Sequence, residues 1–200
     1  EELTADRERA RLCFSFRTVI PEIERLPQLR LRREGVCGDS RFQKEWPLWF
    51  SGGRHEFVLD APRVWWPKNR GEQALYTVTA SLLEDGQVLD SRSFRFGVRT
   101  VSLRREHGEP GREYFGFIVN GEPVFINGTN WVPADAFHSR DAARIDRMLA
   151  LADDIGCNML RCWGGNVYED EAFFDRCDEL GILVWQDFAM ACGVYPRHAR

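Results

Sequence analysis

The sequence has no apolar run approaching the ~18 residues that a membrane-spanning helix needs, so no helical span is expected within it. It has no excess of positive charge. Lys and Arg number 27 against 31 Asp and Glu, a net of −4, which lacks the basic patch of a nucleic-acid binder. Its six cysteines stand at 13, 37, 157, 162, 177 and 192, with no Cys-x-x-Cys and no His near enough in sequence for a zinc ligand set. His55, His107, His138 and His198 are scattered and suggest neither a metal nor a triad. No Gly-x-Gly-x-x-Gly follows a strand-like run, and no Gly-x-Ser-x-Gly elbow occurs. These absences count against a nucleotide-binding domain, and no cofactor is expected. The chain opens Glu1-Glu2-Leu3, without an initiator Met or a signal-peptide pattern, and reads as a piece of a longer polypeptide. Nothing in it gives a compartment, and its composition suits a soluble cytoplasmic or periplasmic protein.

What is present suits a globular chain. Apolar residues make up 44% and charged residues 29%, too apolar for disorder. At 200 residues the chain holds one or two domains. Seven Trp, fourteen Phe and four Tyr supply a large core and leave indoles for a binding surface. Four cysteines fall inside apolar helix or strand patterns, where a thiol acts as a small hydrophobe. Cys13 and Cys37 could pair in an oxidising compartment.

The chain changes character near residue 105. Before it, Arg11–Val19 alternates, with Leu12, Phe14 and Phe16 on one side and Arg11, Cys13, Ser15 and Arg17 on the other. Glu56–Leu59, Leu75–Leu83 and Val88–Val98 repeat the pattern. Period-2 alternation predicts strands with one buried face. Glu84-Asp85-Gly86-Gln87 predicts a hairpin turn, because Asp-Gly supplies positive φ. Short strands and turns over residues 1–103 predict an all-β antiparallel sandwich. The hydrophilic stretch 104–113 carries Gly and Pro without apolar periodicity and reads as a connector.

Residues 114–200 alternate strand and helix. Pro123–Ile126 is expected as a short strand. Ser139 is expected to cap a helix reaching Ile155, whose apolar positions Ile145, Met148, Leu149, Ala152 and Ile155 lie on one face. Gly156 then supplies a left-handed stop. Asn158–Trp163 forms the next strand, Asp170 caps a second helix through Leu180, and Ile182–Phe188 forms a third strand. Nearly continuous apolar strands of this kind suit a parallel sheet covered on both faces.

Ligands of parallel α/β folds bind at the C-terminal strand ends. Here those ends carry Asn127-Gly128-Thr129-Asn130-Trp131, Arg161-Cys162-Trp163-Gly164-Gly165-Asn166 and Trp185-Gln186-Asp187. Each has an indole and a hydrogen-bonding side chain. A sugar, with flat C–H faces rimmed by hydroxyls, needs aromatic plates and bidentate polar groups. One such ending alone suits core packing and an Arg161–Asp187 structural pair, but three endings of one kind favour a binding rim.

The run from Val119-Asn120-Gly121-Glu122-Pro123 through Asn130-Trp131-Val132-Pro133-Ala134-Asp135 resembles the opening of the catalytic barrel in glycoside hydrolase family 2. Asn158-Met159-Leu160-Arg161-Cys162-Trp163-Gly164-Gly165, with Tyr168-Glu169, resembles the family's β-mannosidase branch. So does the run from Cys177-Asp178-Glu179-Leu180-Gly181 to Trp185-Gln186-Asp187-Phe188. Trp65-Trp66-Pro67, Gly71-Glu72-Gln73-Ala74-Leu75-Tyr76 and Phe94-Arg95-Phe96-Gly97-Val98-Arg99 resemble the immunoglobulin-like domain before that barrel. Two positions depart from the pattern: Asn166 stands where a third Gly is usual, and Cys162 where Val is usual.

The resemblance implies a multidomain chain, a sandwich followed by the first three strands and two helices of a (β/α)8 barrel. It implies a retaining glycosidase acting on a β-linked carbohydrate, with β-mannosides as substrate. A β-galactoside, β-glucuronide or β-glucosaminide is the alternative substrate, and a non-catalytic carbohydrate- or protein-interaction module the alternative role. The implied sugar site takes Asn130, Trp131, Asp135, Arg161, Trp163, Gly164, Gly165 and Asp187, with no metal. Retaining members use two Glu residues on later barrel strands. The acid/base follows an Asn, and no Asn-Glu dipeptide occurs here, so both catalytic carboxylates are expected beyond Arg200. The chain alone is then expected to be inactive, and open barrel edges would favour its self-association. No nucleic acid and no membrane is expected as partner.

Overall fold

The structure, a computed structural model, describes residues 2–4, 7–107 and 113–195. The chain divides into two compact units, Glu1–Trp66 with Ala74–Val124, and Pro67–Gln73 with Phe125–Arg200.

The first unit holds β1 (Glu2–Leu3), β2 (Arg9–Arg17), β3 (Leu29–Cys37), β4 (Ser40–Pro47), β5 (Gly52–Asp60), β6 (Tyr76–Glu84), β7 (Gln87–Phe96), β8 (Val101–His107), β9 (Glu113–Val119) and β10 (Glu122–Val124). They form antiparallel sheets in the orders β1-β2-β5, β4-β3-β6-β7 and β10-β9-β8. The first two sheets face each other. Ala10, Leu12 and Leu59 of one meet Cys37, Phe42, Tyr76 and Val78 of the other in a single buried cluster. Period-2 alternation produces this, since every second side chain of β2 and β6 turns inward. Asp85 (φ 48°) and Gly86 (φ 81°) close the β6–β7 hairpin with two left-handed residues, as the Asp-Gly pair predicted.

Trp65 is fully buried and Trp66 partly so. A Cβ on Gly97 would stand 2.6 Å from the Trp65 Cβ, so Gly97 leaves the room that the indole fills. Arg33 is a buried cation, only 2% exposed. Its guanidinium lies 5.2 Å from the Phe14 ring, 5.6 Å from Trp46 and 5.9 Å from Phe16. It donates to His55 Nδ1 at 3.2 Å. The rings and the imidazole replace part of the hydration that burial removes.

The second unit runs β11 (Gly128–Trp131), α1 (Ala142–Asp154), β12 (Met159–Cys162), α2 (Glu171–Leu180) and β13 (Leu183–Gln186). The strands pair in parallel in the order β11-β12-β13. Ile145, Leu149 and Ala152 of α1 and Phe173 and Cys177 of α2 cover Trp131, Leu160 and Cys162 of the sheet. Asp170 caps α2 by accepting from the Phe173 N–H at 3.2 Å, and Gly181 (φ 75°) ends it. Pro67–Gln73 belongs to this unit. The Lys68 N–H donates to the Gly181 carbonyl at 2.8 Å. The Lys68 ammonium meets the carboxylate and carbonyl of Asp153 at the C-terminal end of α1, where a cation is favoured.

Some expectations shift. The first parallel strand is not Pro123–Ile126 but Gly128–Trp131, because 122–124 folds back onto β9 through Asn120-Gly121, both with positive φ. Within the expected connector 104–113, residues 104–107 belong to β8 and 113 to β9, while 108–112 lie outside the described residues. Ser139 sits in a 3-10 turn, and Asp141 directly precedes α1. Cys13 and Cys37 are free thiols. No helix among the described residues is long and apolar enough to cross a membrane.

Candidate functional site

Register decides what the parallel sheet presents on each face. Asn130, Arg161 and Trp185 form one row across the three strands, and Trp131, Cys162 and Gln186 form the next. Neighbouring rows point to opposite faces. Trp131 and Cys162 turn toward the helices and are buried there. Asn130, Arg161 and Trp185 therefore share the face turned away from the helices.

On that face Arg161 of β12 reaches Asn130 of β11 and Asp187, the residue after β13. Its Nη2 donates to Asp187 Oδ2 at 2.6 Å and its Nε to Oδ1 at 3.3 Å. Its Nη1 donates to Asn130 Oδ1 at 3.2 Å. The pair is half-open to solvent, the Arg161 side chain 43% and the Asp187 side chain 22% exposed. Trp185, 41% exposed, lies in the same row. Guanidinium, carboxylate, amide and indole on one open face can together hold a polyhydroxylated ring. The arrangement offers donors and acceptors to hydroxyls and a plate to C–H bonds.

The loop after β12 is built around Trp163. The Asn166 N–H donates to the Trp163 carbonyl at 2.9 Å, turning the chain. A Cβ on Gly165 would collide with the Trp163 indole, which lies against that glycine. A Cβ on Gly164 would stand 2.7 Å from the Phe188 carbonyl oxygen, and the Gly164 carbonyl accepts from the Ala191 N–H at 3.0 Å. The two glycines thus have separate tasks. Gly165 admits a ring, and Gly164 admits the backbone that follows β13. Tyr168 joins the same loops, its hydroxyl accepting from the Ala189 N–H at 3.1 Å.

Two residues expected in the sugar site are engaged elsewhere. Trp131 is 3% exposed and packs against Phe173 in the core, ring centroids 5.0 Å apart and planes tilted by 46°. Asn130 and Trp131 both belong to β11, so adjacent side chains must diverge, and only Asn130 reaches the open face. The Trp131 indole N–H donates to Glu169 Oε1 at 2.7 Å. A buried donor left without an acceptor would cost about 1–3 kcal/mol. Asp135, its side chain 9% exposed, pairs with Arg144 at 2.8 Å and accepts from the Phe137 N–H at 3.0 Å. It braces the loop before α1. Asp141 shares that loop, accepting from the Asp135 N–H at 2.8 Å and lying 2.9 Å from His138 Nδ1.

The residues named for the sugar site from the sequence include neither Trp185 nor Glu169, although Trp185 is the indole of the third strand ending. Trp185 had a usable signal, since it precedes Asp187 by two positions and so shares its side of the strand. Glu169 had none. Asn166 is buried, and its side-chain amide donates to Glu169 Oε1 at 3.2 Å. The thiols nearby are inert: burial first, then the charges of Glu169 and Asp187, push Cys162 up to about 11. Burial likewise pushes Cys177 up to about 12. Among the described residues no group of three or more His, Cys, Asp or Glu is arranged to hold a metal.

Residues 34–99 match the family model described as glycosyl hydrolases family 2, and the chain belongs to that family. Relatives within it include β-mannosidases. A β-mannosidase B of Thermothelomyces thermophilus is 43% identical over 143 residues, covering 70% of this chain and 17% of that protein. A β-mannosidase of Capra hircus is 42% identical over 136 residues, 66% of this chain and 15% of that protein. The crystal structure of a β-D-mannosidase from Dictyoglomus thermophilum superposes with a TM-score of 0.79 at 35% identity, over 96% of this chain and 24% of that one. A β-glucuronidase of Parabacteroides merdae shares the fold, with a TM-score of 0.72 at 22% identity over 93% of this chain and 23% of that one. The chain spans about a sixth of the length of the curated relatives it matches.

Proposed function

We propose that this chain is part of a retaining glycoside hydrolase that cleaves β-mannosides. In this reading β11, β12 and β13 are the first three strands of a (β/α)8 barrel, preceded by an immunoglobulin-like sandwich. The observation that carries the reading is the Asn130–Arg161–Asp187 network beside Trp185 at the C-terminal ends of parallel strands. Barrel enzymes bind substrate at that end. Asn130, Arg161, Asp187 and Trp163 line the sugar site, with Gly164 and Gly165 shaping its floor. Trp185 joins them. Trp131 and Asp135 support it from behind.

A retaining mechanism needs a carboxyl pair about 5–5.5 Å apart, one acid/base and one nucleophile. Asp135, Glu169 and Asp187 are engaged with Arg144, Trp131 and Arg161. In this reading the pair comes from other strands of the barrel. The 200-residue chain by itself does not turn over glycosides, and with Phe125 (87% exposed) and Phe188 (80%) bare it self-associates in solution.

Aryl β-mannoside, β-galactoside, β-glucuronide and β-glucosaminide assayed with the full-length protein test the reading. Preference for the mannoside with retained anomeric configuration is the expected result. Preference for another sugar overturns the substrate, and no turnover of any overturns the enzyme in favour of a non-catalytic binding module. Turnover by the 200-residue chain alone overturns the carboxylate argument.

A further inference from the structure

We infer that Glu169 is a positioning residue, fixing the Trp163 indole at the rim through hydrogen bonds to Trp131 and Asn166. The inference rests on the proposed sugar site.

Glu169 does not reach that site itself. Its partner Trp131 faces the helices, and its Oε1 meets the Trp131 indole N–H at 2.7 Å on that side of the sheet. A carboxylate held there touches no sugar bound on the opposite face. What it holds is the loop. The same oxygen accepts from the Asn166 amide at 3.2 Å. Asn166 in turn controls the turn on which Trp163 sits. Its backbone N–H donates to the Trp163 carbonyl at 2.9 Å, and its side-chain oxygen accepts from the Val167 N–H at 2.8 Å. Gly165 between them lies against the indole, so a shift of this turn is a shift of the ring. The Trp163 N–H also donates to the Trp131 carbonyl at 3.2 Å, which ties the start of the loop to the strand whose indole Glu169 holds.

Asn166 supplies the second donor, and a glycine at that position would have no side-chain amide to offer Glu169. With Asn, one carboxylate oxygen joins the end of β11 to the middle of the loop. One oxygen with two donors is a strict geometric demand, yet it needs only an acceptor with two lone pairs. A glutamine carbonyl satisfies it, and an alanine does not.

The test uses the full-length protein carrying Glu169→Ala, Glu169→Gln and Asn166→Gly. Two readouts are taken, kinetics on an aryl β-mannoside and hydrogen–deuterium exchange of the peptide covering 163–170. Glu169→Ala is expected to raise KM roughly tenfold with the pH profile unmoved, since a plate is displaced and no proton carrier is lost. Exchange in the loop peptide is expected to rise by at least about tenfold. Glu169→Gln is expected to return both readouts to within about threefold of wild type. Asn166→Gly, which loses one arm, is expected to fall between, and it carries the test if Glu169→Ala does not accumulate as folded protein.

Folded Glu169→Ala with wild-type KM and unchanged exchange overturns the inference. So does Glu169→Gln as impaired as the alanine, which makes charge rather than acceptor geometry the requirement. Wild-type protein without glycosidase activity overturns the sugar-site reading instead, and loop exchange then decides alone whether Glu169 holds the loop.

Discussion

The guanidinium of Arg161 straddles the carboxylate of Asp187, with contacts of 2.6 and 3.3 Å, and uses its remaining nitrogen on Asn130 at 3.2 Å. Only a planar fork with donors on separate nitrogens makes all three contacts. Arg161→Lys substitutes a point charge that meets one partner at a time. Its kcat/KM in the full-length protein is expected to fall by roughly tenfold or more, while the thermal midpoint moves by about 2–4 °C, because the pair is half-open to solvent. Unchanged kcat/KM would remove Arg161 from the sugar site.

The two glycines of the β12 loop separate by mechanism. Gly165→Ala meets a side-chain ring that can swing away, whereas Gly164→Ala meets the Phe188 backbone oxygen, which cannot move alone. Gly165→Ala is expected to damage activity more than stability. Gly164→Ala is expected to lower stability by about 1–3 kcal/mol in urea titration. The opposite ranking would contradict the assignment of tasks.

The sandwich core carries a pH dependence. Burial, and then the Arg33 charge, hold His55 below its ordinary value near 6.5. The folded state thus binds the His55 proton less well than the unfolded state. Its contribution is complete above about pH 6.5 and is lost as pH falls through the lowered folded value. Arg33 from β3, Trp46 from β4 and Phe16 from β2 face the imidazole, and none offers it a negative charge. His55→Gln keeps an acceptor for Arg33 without titrating. Urea midpoints from pH 7.5 to 4.5 are expected to fall less steeply in that variant than in wild type. Parallel curves would show that His55 carries no part of the acid sensitivity.

Thiol accessibility follows burial. Cys13 and Cys192 are exposed, while Cys37, Cys157, Cys162 and Cys177 are buried. Brief alkylation of the native protein at pH 8, mapped by mass spectrometry, is expected to label the first two and spare the others. Labelling of Cys162 or Cys177, with thiols raised to about 11 and about 12, would contradict the packing around α2.

Much of the fold was legible where residue type matched environment. Leu12, Phe14, Phe16, Tyr76 and Val78 alternate as a half-buried strand should, and Asp170, Gly156 and Gly181 punctuate the helices as caps and stops. β3 was hidden because its alternation is kept by the wrong-looking residues. Its inward positions include Arg33, sheltered by rings, and Gly35, whose missing side chain leaves room for Phe42. β10 was misplaced because the Asn120-Gly121 turn signal was passed over in favour of the apolar run after it. The displacement reaches the strand end. The sequence pattern puts Asn127–Trp131 after the first parallel strand, whereas Gly128–Trp131 is that strand, and within it Asn130 and Trp131 point apart. Arg161 and Asp187 fall at the ends of strands whose positions the apolar runs 158–163 and 182–188 did indicate. Glu169 was not, since its contacts come from a loop turn that no periodicity encodes.

The second unit is not a continuous length of chain. Lys68, set far upstream of Phe125, closes the end of α1 and meets the carbonyl of Gly181. A gene cut just ahead of Phe125, whether to express the parallel half alone or to graft it onto another enzyme, discards seven residues that this half uses as its own. Shuffling the family at that seam therefore requires carrying Pro67–Gln73 along with it, and recombinants that mix parents across the two segments inherit mismatched halves of one small structure.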